Sequence, residues 1–428
     1  MNAPLRPQIA IVGSGIAGLT AAYRLAPVAD ITVFEQNDWI GGHTHTVDVE
    51  IEGRHTAVDT GFIVFNEWTY PRFLNLLSEL GLSPQNTDMS FSVTSETTGI
   101  EYAGNNLSTL FAQRRRLLSP SYYRFLLDIM KFNRLAIADL EHGRLSTTQT
   151  LGDYLKQHGL GALFRSHYLL PMAAAIWSSD LDEVDQMSVL FFIRFFKNHG
   201  LLSVTHRPQW FTLPGGSRTY IEPLTTGFRD RIRLSTPVQR VESTADGVTV
   251  YTSTQSLQFD GVVMASHSDQ SLGLLTSPTD AMRHVLSGIP YAENDVVLHT
   301  DHSQMPRSRR AWASWNYQIQ AQKNGLGAVV TYDMNRLQNL SGPDQFFVTL
   351  NNTAQINPDC ILGQWSYAHP QFGPESLNVQ SQIHAANQGQ RVVVCGAWCR
   401  NGFHEDGVVS GENAAHAIAQ TLGVETVR

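Results

Sequence analysis

Ile9-Ala10-Ile11-Val12-Gly13-Ser14-Gly15-Ile16-Ala17-Gly18 is the stretch on which the fold turns. Four apolar residues run straight into a G-x-G-x-x-G spacing, and Leu19, Ala21, Ala22 and Leu25 follow at helical intervals. A second apolar run, Ile31-Thr32-Val33-Phe34, ends on Glu35. Strand, glycine turn, helix, strand and acid together make a dinucleotide cradle rather than a bare glycine motif. Gly13 permits the tight turn, Gly15 lets backbone approach a pyrophosphate, and Gly18 lets helix pack close on strand. The free N–H groups and positive dipole end of the helix favour phosphate. Glu35 stands where a carboxylate accepts ribose hydroxyls and repels a 2′-phosphate, so FAD or NAD suits the site better than NADP.

The 428 residues suggest two or three domains. A net charge of -8 gives no global field favouring nucleic acid. Cys360, Cys395 and Cys399 form no disulfide framework and fit a reducing compartment. The Cys395/Cys399 spacing lacks companion zinc ligands, and both thiols read as small buried hydrophobes. His43 and His45 would share a strand face but have no third ligand, so no metal is expected. No apolar run reaches the ~18 residues of a membrane span, and Met1 to Gln8 does not read as a signal peptide. The expected location is the cytoplasm, with peripheral contact at the inner membrane face left open.

Further along, Val47, Val49 and Ile51 alternate as in a strand, and residues 70–80 read as a helix entered at Tyr70-Pro71. Residues 106–200 read as mostly helical and aromatic. Strand signals recur at Ile232–Leu234, Val238–Val241, Val248–Tyr251 and Phe259–Ala265, with Asp246-Gly247 as a hairpin turn. Residues 290–385 read as strands and loops, 402–407 as a loop, and Ser410 to Leu422 as a helix. The expected fold is α/β, with the nucleotide domain assembled from 1–82, 205–268 and 386–428. Two insertions, 83–204 and 269–385, would form an α+β substrate domain.

This pattern resembles the flavin-containing amine oxidase superfamily over nearly the whole chain. The resemblance rests on Gly13–Gly18, Glu35, Gly41-Gly42, Asp59-Thr60-Gly61, Pro214-Gly215-Gly216, Val238, and Gly396-Ala397 with the Gly402–Gly411 segment. Four further phrases are similar to a bacterial branch associated with cyclopropane fatty acid synthases. They are Gly42-His43-Thr44-His45-Thr46, Thr60–Asn66, Thr331–Gln338 and Gly402–Gly407. The resemblance implies a Rossmann-like FAD domain of glutathione-reductase type, discontinuous in sequence, holding FAD in an extended pose. Gly13, Ser14, Gly15, Ala17 and Gly18 would line the pyrophosphate, and Glu35 would hold the adenosine ribose. Val238 would meet the adenine. Gly41, Gly42 and His43 would pass near the pyrophosphate and ribityl, with Thr60 and Gly61 beside them. Gly396, Ala397, Glu405, Asp406 and Val408 would lie against the ribityl and isoalloxazine. The family usually has Arg or Lys where this chain has His43, and a neutral imidazole brings less charge. Glu405 and Asp406 suit hydroxyl or backbone donors better than an anionic ring, and capping of the following helix is the plainer alternative.

Only one dinucleotide fingerprint is present, so electrons are expected from an organic substrate rather than from NAD(P)H. A flavin accepts hydride at N5, so no strong base is obligatory. Candidate catalytic residues are Trp315, Tyr332 and His404, the last because histidine titrates near neutrality. Trp312, Asn316, Tyr317, Asn335, Tyr367 and His369 are further pocket candidates. Val189–Phe196 is almost wholly apolar, either a buried helix or the wall of an apolar tunnel. Residues 111–134 carry six cations, Arg114, Arg115, Arg116, Arg124, Lys131 and Arg134, against Asp128 alone. That face is either solvated or able to lie on anionic lipid.

Three functional readings follow. The first is FAD-dependent oxidation or desaturation of a lipid-like, fatty-acyl substrate by hydride transfer to N5. The second is an amine oxidase releasing hydrogen peroxide. The third is a flavin-binding partner of a lipid-modifying enzyme.

Overall fold

The computed structural model describes residues 6–177, 181–203, 207–322 and 325–426. Strand β1 (Gln8–Val12) turns at Gly13 into helix α1 (Ile16–Leu25), and β2 (Asp30–Phe34) returns beside β1. β1 is the central strand of a five-stranded parallel sheet, with β2 beside it. Its order is Ile232–Arg233, β2, β1, Gly261–Met264, Val392–Val394. Ile9, Ala10 and Ile11 are fully buried. Parallel strands are covered on both faces, which is why these runs are continuously apolar rather than alternating.

Close backbone approach holds the layers together. A Cβ on Gly18 would stand 2.1 Å from the carbonyl oxygen of Gly13. The C-terminal helix His404–Leu422 packs on α1 in the same way, since a Cβ on Gly411 would stand 2.3 Å from the Ala17 carbonyl oxygen. An antiparallel meander, Val238–Ser243, Val248–Thr252 and Ser256–Phe259, lies against the sheet, with Phe259 edge-on to Phe34.

The second large sheet has seven strands. Their order is Ile361–Pro370, Tyr291–His299, Phe347–Leu350, Gly325–Asp333, Trp315–Gln322, Phe91–Ser95, Glu101–Ala103. All pairings are antiparallel except that of Trp315–Gln322 with Phe91–Ser95. A helical layer covers one end of it. Phe125 and Phe132 of the long helix Pro120–Glu141 pack in one core with Phe192 and Phe196 of the helix Val189–Asn198. Truncating one of these buried rings to alanine costs about 3–5 kcal/mol.

Three local expectations are corrected. The terminal helix begins at His404, six residues before Ser410, so 404–407 is its first turn and not a loop. Asp406 accepts the N–H groups of Asn401 and Phe403, which lets the helix start early. Pro374–Asn387 is a helix inside the region read as strands and loops. Its sequence has no apolar stripe, so periodicity gives no signal. His43 and His45 lie before the strand Thr46–Ile51, not on it, and no metal-binding group exists among the described residues. Nor, among those residues, is any helix long and apolar enough to cross a membrane.

Candidate active site

A cavity of about 1300 Å³ lies where the parallel sheet meets the seven-stranded sheet. Ordinary small-molecule pockets occupy roughly 300–1,000 Å³, so it has room for more than one. One wall is the β1–α1 turn, from Val12 and Gly13 to Gly15, Ile16 and Ala17. This is the carboxyl end of the sheet, where open α/β sheets bind ligands.

Glu35 sits at the end of β2, 5% exposed. Its Oε2 accepts Ser14 N–H at 2.9 Å and the Ser14 hydroxyl at 2.7 Å, and its Oε1 accepts Asn37 N–H at 2.9 Å. A carboxylate has about four acceptor positions, so one is left for a ribose hydroxyl. Ser14 Oγ also accepts Gly41 N–H at 3.2 Å, joining the glycine turn to the Gly41-Gly42 segment. Gly42 has φ +59°, and its Cβ would stand 3.1 Å from Gly15 Cα. The strained backbone and the close approach both explain why glycine stands there.

Two observations test whether these residues fit a dinucleotide. A Cβ on Gly15 would meet nothing within 4 Å, so the turn keeps open space beside the helix N-terminus. His43 Nε2 is buried with no partner among the described residues. Burial, reinforced by His369, His267 and His404, pushes its pKa well below the ordinary value, so the ring is neutral. A neutral imidazole in reach of a polar cofactor is consistent with that orphan atom. The residues fit the group.

Gly13, Gly15, Ala17, Glu35, Gly41, Gly42 and His43 line this one cavity, as do Gly61, Val238, Gly396 and Ala397. Six other expected contacts have bonds or packing within the protein. Ser14 bonds Glu35, and Gly18 packs on Gly13. Thr60 bonds His45 and Tyr367. Glu405 accepts the N–H groups of Arg72 and Phe73, capping the helix Pro71–Glu79. Asp406 caps its own helix, and Val408 is core. None of these six is in the cavity wall. Burial raises the pKa of Asp406 to about 6.

Of the candidate catalytic residues, Trp315, Tyr332 and His404 all line the cavity. Trp315 and Tyr332 meet edge to face at 5.1 Å, and Trp315 Nε1 has no partner among the described residues. His404 departs from expectation. Its ring stacks on Phe62 at 3.6 Å, and Nε2 lies 2.8 Å from Tyr220 Oη and 3.2 Å from Thr44 Oγ1. Burial pushes its pKa down to about 3, so it is a neutral, fixed ring rather than a group titrating near neutrality. Tyr367 and His369 line the cavity. Asn316 instead bonds Ser92 and Ala313, Asn335 bonds Phe346, Trp312 bonds Pro306, and Tyr317 belongs to the helical core.

Sequence reasoning offered one wall of the far lobe of the cavity, the apolar stretch 189–196, and missed the rest. Phe91, Tyr168, Met172, Phe195, Leu201, Phe372 and Phe403 line it, packed in one cluster with Trp315 and Tyr332. Phe195 comes from the apolar helix, which is therefore both core and wall. The other residues come from separate segments, so no local pattern announces them.

A parallel sheet with a glycine-rich phosphate turn, opening on a partly open aromatic chamber, defines a dinucleotide-dependent oxidoreductase architecture. Residues 16–307 match the family described as flavin containing amine oxidoreductase. The chain belongs to this family of flavin-containing oxidoreductases, and its cofactor is FAD. It is 26% identical to the flavin-containing amine oxidase A of Canis lupus familiaris over 252 residues, 57% of this chain and 46% of that one. It therefore spans about half the length of that relative. The AofH protein of Mycobacterium tuberculosis is 23% identical over 357 residues, 78% of this chain and 72% of its own. In structure the chain resembles cyclohexylamine oxidase from Brevibacterium oxydans (TM-score 0.67, 18% identity, 98% and 100% covered). It equally resembles a fatty acid isomerase from P. acnes that produces CLA (TM-score 0.67, 16% identity, 97% and 98% covered). These two likenesses establish the fold.

Proposed function

We propose that this protein oxidises or desaturates a lipid-like, fatty-acyl substrate in the chamber lined by Trp315 and Tyr332. The observation that carries the reading is the composition of the far lobe. Phe91, Tyr168, Met172, Phe195, Leu201, Phe372 and Phe403 give it a mainly apolar surface, while His199, stacked on Phe195 at 3.9 Å, and Arg207 line the same cavity. Such a wall desolvates a hydrocarbon favourably, and Arg207 is a cation with which an acyl carboxylate could pair.

Gly13, Gly15 and Ala17 would hold the FAD pyrophosphate, Glu35 the ribose, Val238 the adenine, and Gly396 and Ala397 the ring end. When bound, the flavin supplies a two-electron acceptor for a substrate C–H bond. The chain's own part is positional. Trp315 and Tyr332 narrow the chamber and orient the substrate, and burial of the aromatic walls excludes water. Neutral His43 and His404 add no positive charge, and His404 holds Phe62 and Tyr220 in place. We read the parallel sheet as a glutathione-reductase-type domain built from 1–82, 205–268 and 386–428, with 83–204 and 269–385 as the substrate domain.

Amine oxidation is the second reading, favoured by the names of the relatives and by the aromatic pair Tyr367 and Trp365 in the cavity wall. Anaerobic mixing of the holoprotein with long-chain fatty acids and acyl esters, and separately with primary and secondary amines, tests the two. Flavin bleaching by a lipid and by no amine supports the first. Bleaching by an amine, with peroxide released on admitting oxygen, overturns it.

A further inference from the structure

We propose that residues 107–134 form a docking face for an anionic lipid bilayer, placed beside the mouth of the apolar chamber. Ten large apolar side chains are at least about a third exposed among the described residues, and six of them are Leu107, Leu117, Leu118, Tyr123, Leu127 and Met130. Leu118 is 89% exposed and Leu107 74%. Scattered exposed leucines are ordinary, but six within twenty-four residues form a patch.

The charge on this face is of one sign. Arg114, Arg115, Arg124 and Arg134 are exposed, and Lys131 is half-buried. None of these five enters an ion pair among the described residues. Asp128, the acid of the stretch, is buried and accepts Gly161 N–H, so it does not offset them at the surface. On the helix Pro120–Glu141, positions 123, 127, 130 and 134 fall on one side at a period of 3.6, with 124 and 131 along its edge. Tyr122, Phe125, Phe132 and Ala136 are buried on the other side. The turn before the helix belongs to the same face, because Tyr123 Oη donates to the Leu117 carbonyl and Arg114 donates to the Ser108 carbonyl. Lys131 donates to the His158 carbonyl, but none of the cations has a carboxylate partner among the described residues. Apolar groups ringed by such cations complement a bilayer with anionic headgroups, into which leucines insert while guanidinium groups meet phosphate.

The chain links this face to the chamber. Gly104 and Asn105 line the cavity wall, and both are exposed. Asn106 caps the short helix that carries Leu107. A hydrocarbon leaving the bilayer here would enter the chamber without crossing water. This rests on the apolar-substrate reading only for its purpose, since docking is measured without substrate.

The test is co-sedimentation of the FAD-loaded protein with vesicles of phosphatidylcholine alone and of phosphatidylcholine mixed with phosphatidylglycerol. The expected result is binding about tenfold stronger to the anionic vesicles, weakened by high salt. Leu118→Asp/Leu127→Asp is expected to lose that binding while keeping flavin content and melting temperature. Absent binding, equal binding to neutral vesicles, or unchanged binding by the double variant overturns the proposal. So does conversion of a dimer to a monomer by the double variant, which would make the face a contact between copies of this chain. Flavin bleaching by a soluble substrate is a separate readout, so failure of docking and failure of the substrate reading are distinguishable.

Discussion

The Glu405 carboxylate accepts the backbone N–H of Phe73 at 2.8 Å, tying the first turn of the C-terminal helix to the first turn of the helix Pro71–Glu79. Its other oxygen accepts Arg72 N–H at 3.0 Å. One acid near the cavity thus clamps two elements that flank it. Glu405→Ala would leave the buried Phe73 N–H unpaired, at about 1–3 kcal/mol, and free the partly exposed Arg72 N–H to water at smaller cost. The expected outcome is a clear fall in denaturant midpoint, with FAD affinity changed less than stability. Chemical denaturation and flavin titration of the same variant check this.

Gly15 and Gly18 separate cofactor binding from folding. A Cβ at Gly15 enters open space, whereas one at Gly18 strikes the Gly13 carbonyl oxygen. Gly15→Val is expected to keep the circular dichroism spectrum and lose FAD affinity by more than about tenfold. Gly18→Val is expected to fold poorly or not at all. Unchanged FAD affinity in Gly15→Val would remove the turn from the phosphate site.

Buried histidines set the acid limit of stability. Burial pushes His167, His199, His299 and His369 down to about 4 and His404 to about 3, against an ordinary 6.5. Each binds fewer protons folded than unfolded in that window, so stability rises with pH through it. Asp59 and Asp406 act oppositely. Their carboxyls, raised to about 6 from 3.8, make stability fall between those values. Burial lowers His43, His45 and His267 as well and raises Asp333 and Glu405, so eight rings act against four carboxyls. Melting temperature is therefore expected to climb by more than about 5 °C between about pH 4.5 and about pH 7, then level off. A flat or falling profile there contradicts the assignment of these rings as neutral.

The glycine turn, Glu35 and the parallel strands were legible because each makes a local demand on residue type: a positive φ, a close approach, burial on both faces. Pro374–Asn387 was illegible because a helix with no apolar stripe has no period to find. His404 was misjudged for a related reason. Its position in the chain places it at the cavity, but its low pKa comes from burial, and its neighbours Phe62, Tyr220 and Thr44 lie far away in sequence. Most of the far lobe was hidden for the same cause, the lobe being assembled from at least five separate segments.

Phe195 lines that lobe from a helix that also sends Phe192, Ile193 and Phe196 into the core. Phe195→Ala is expected to lengthen the chamber and shift preference toward longer acyl chains, at a stability cost of about 3–5 kcal/mol. The ratio of kcat/KM for a long and a short chain reads the shift. An unchanged ratio would place the hydrocarbon elsewhere.

The most direct test of the central claim is anaerobic stopped-flow reduction of the bound flavin. Long-chain fatty acids or acyl esters are predicted to bleach it, while NADH, NADPH and a panel of amines leave it oxidised. Rapid bleaching by an amine, or by either nicotinamide, with none by any lipid, would contradict the account.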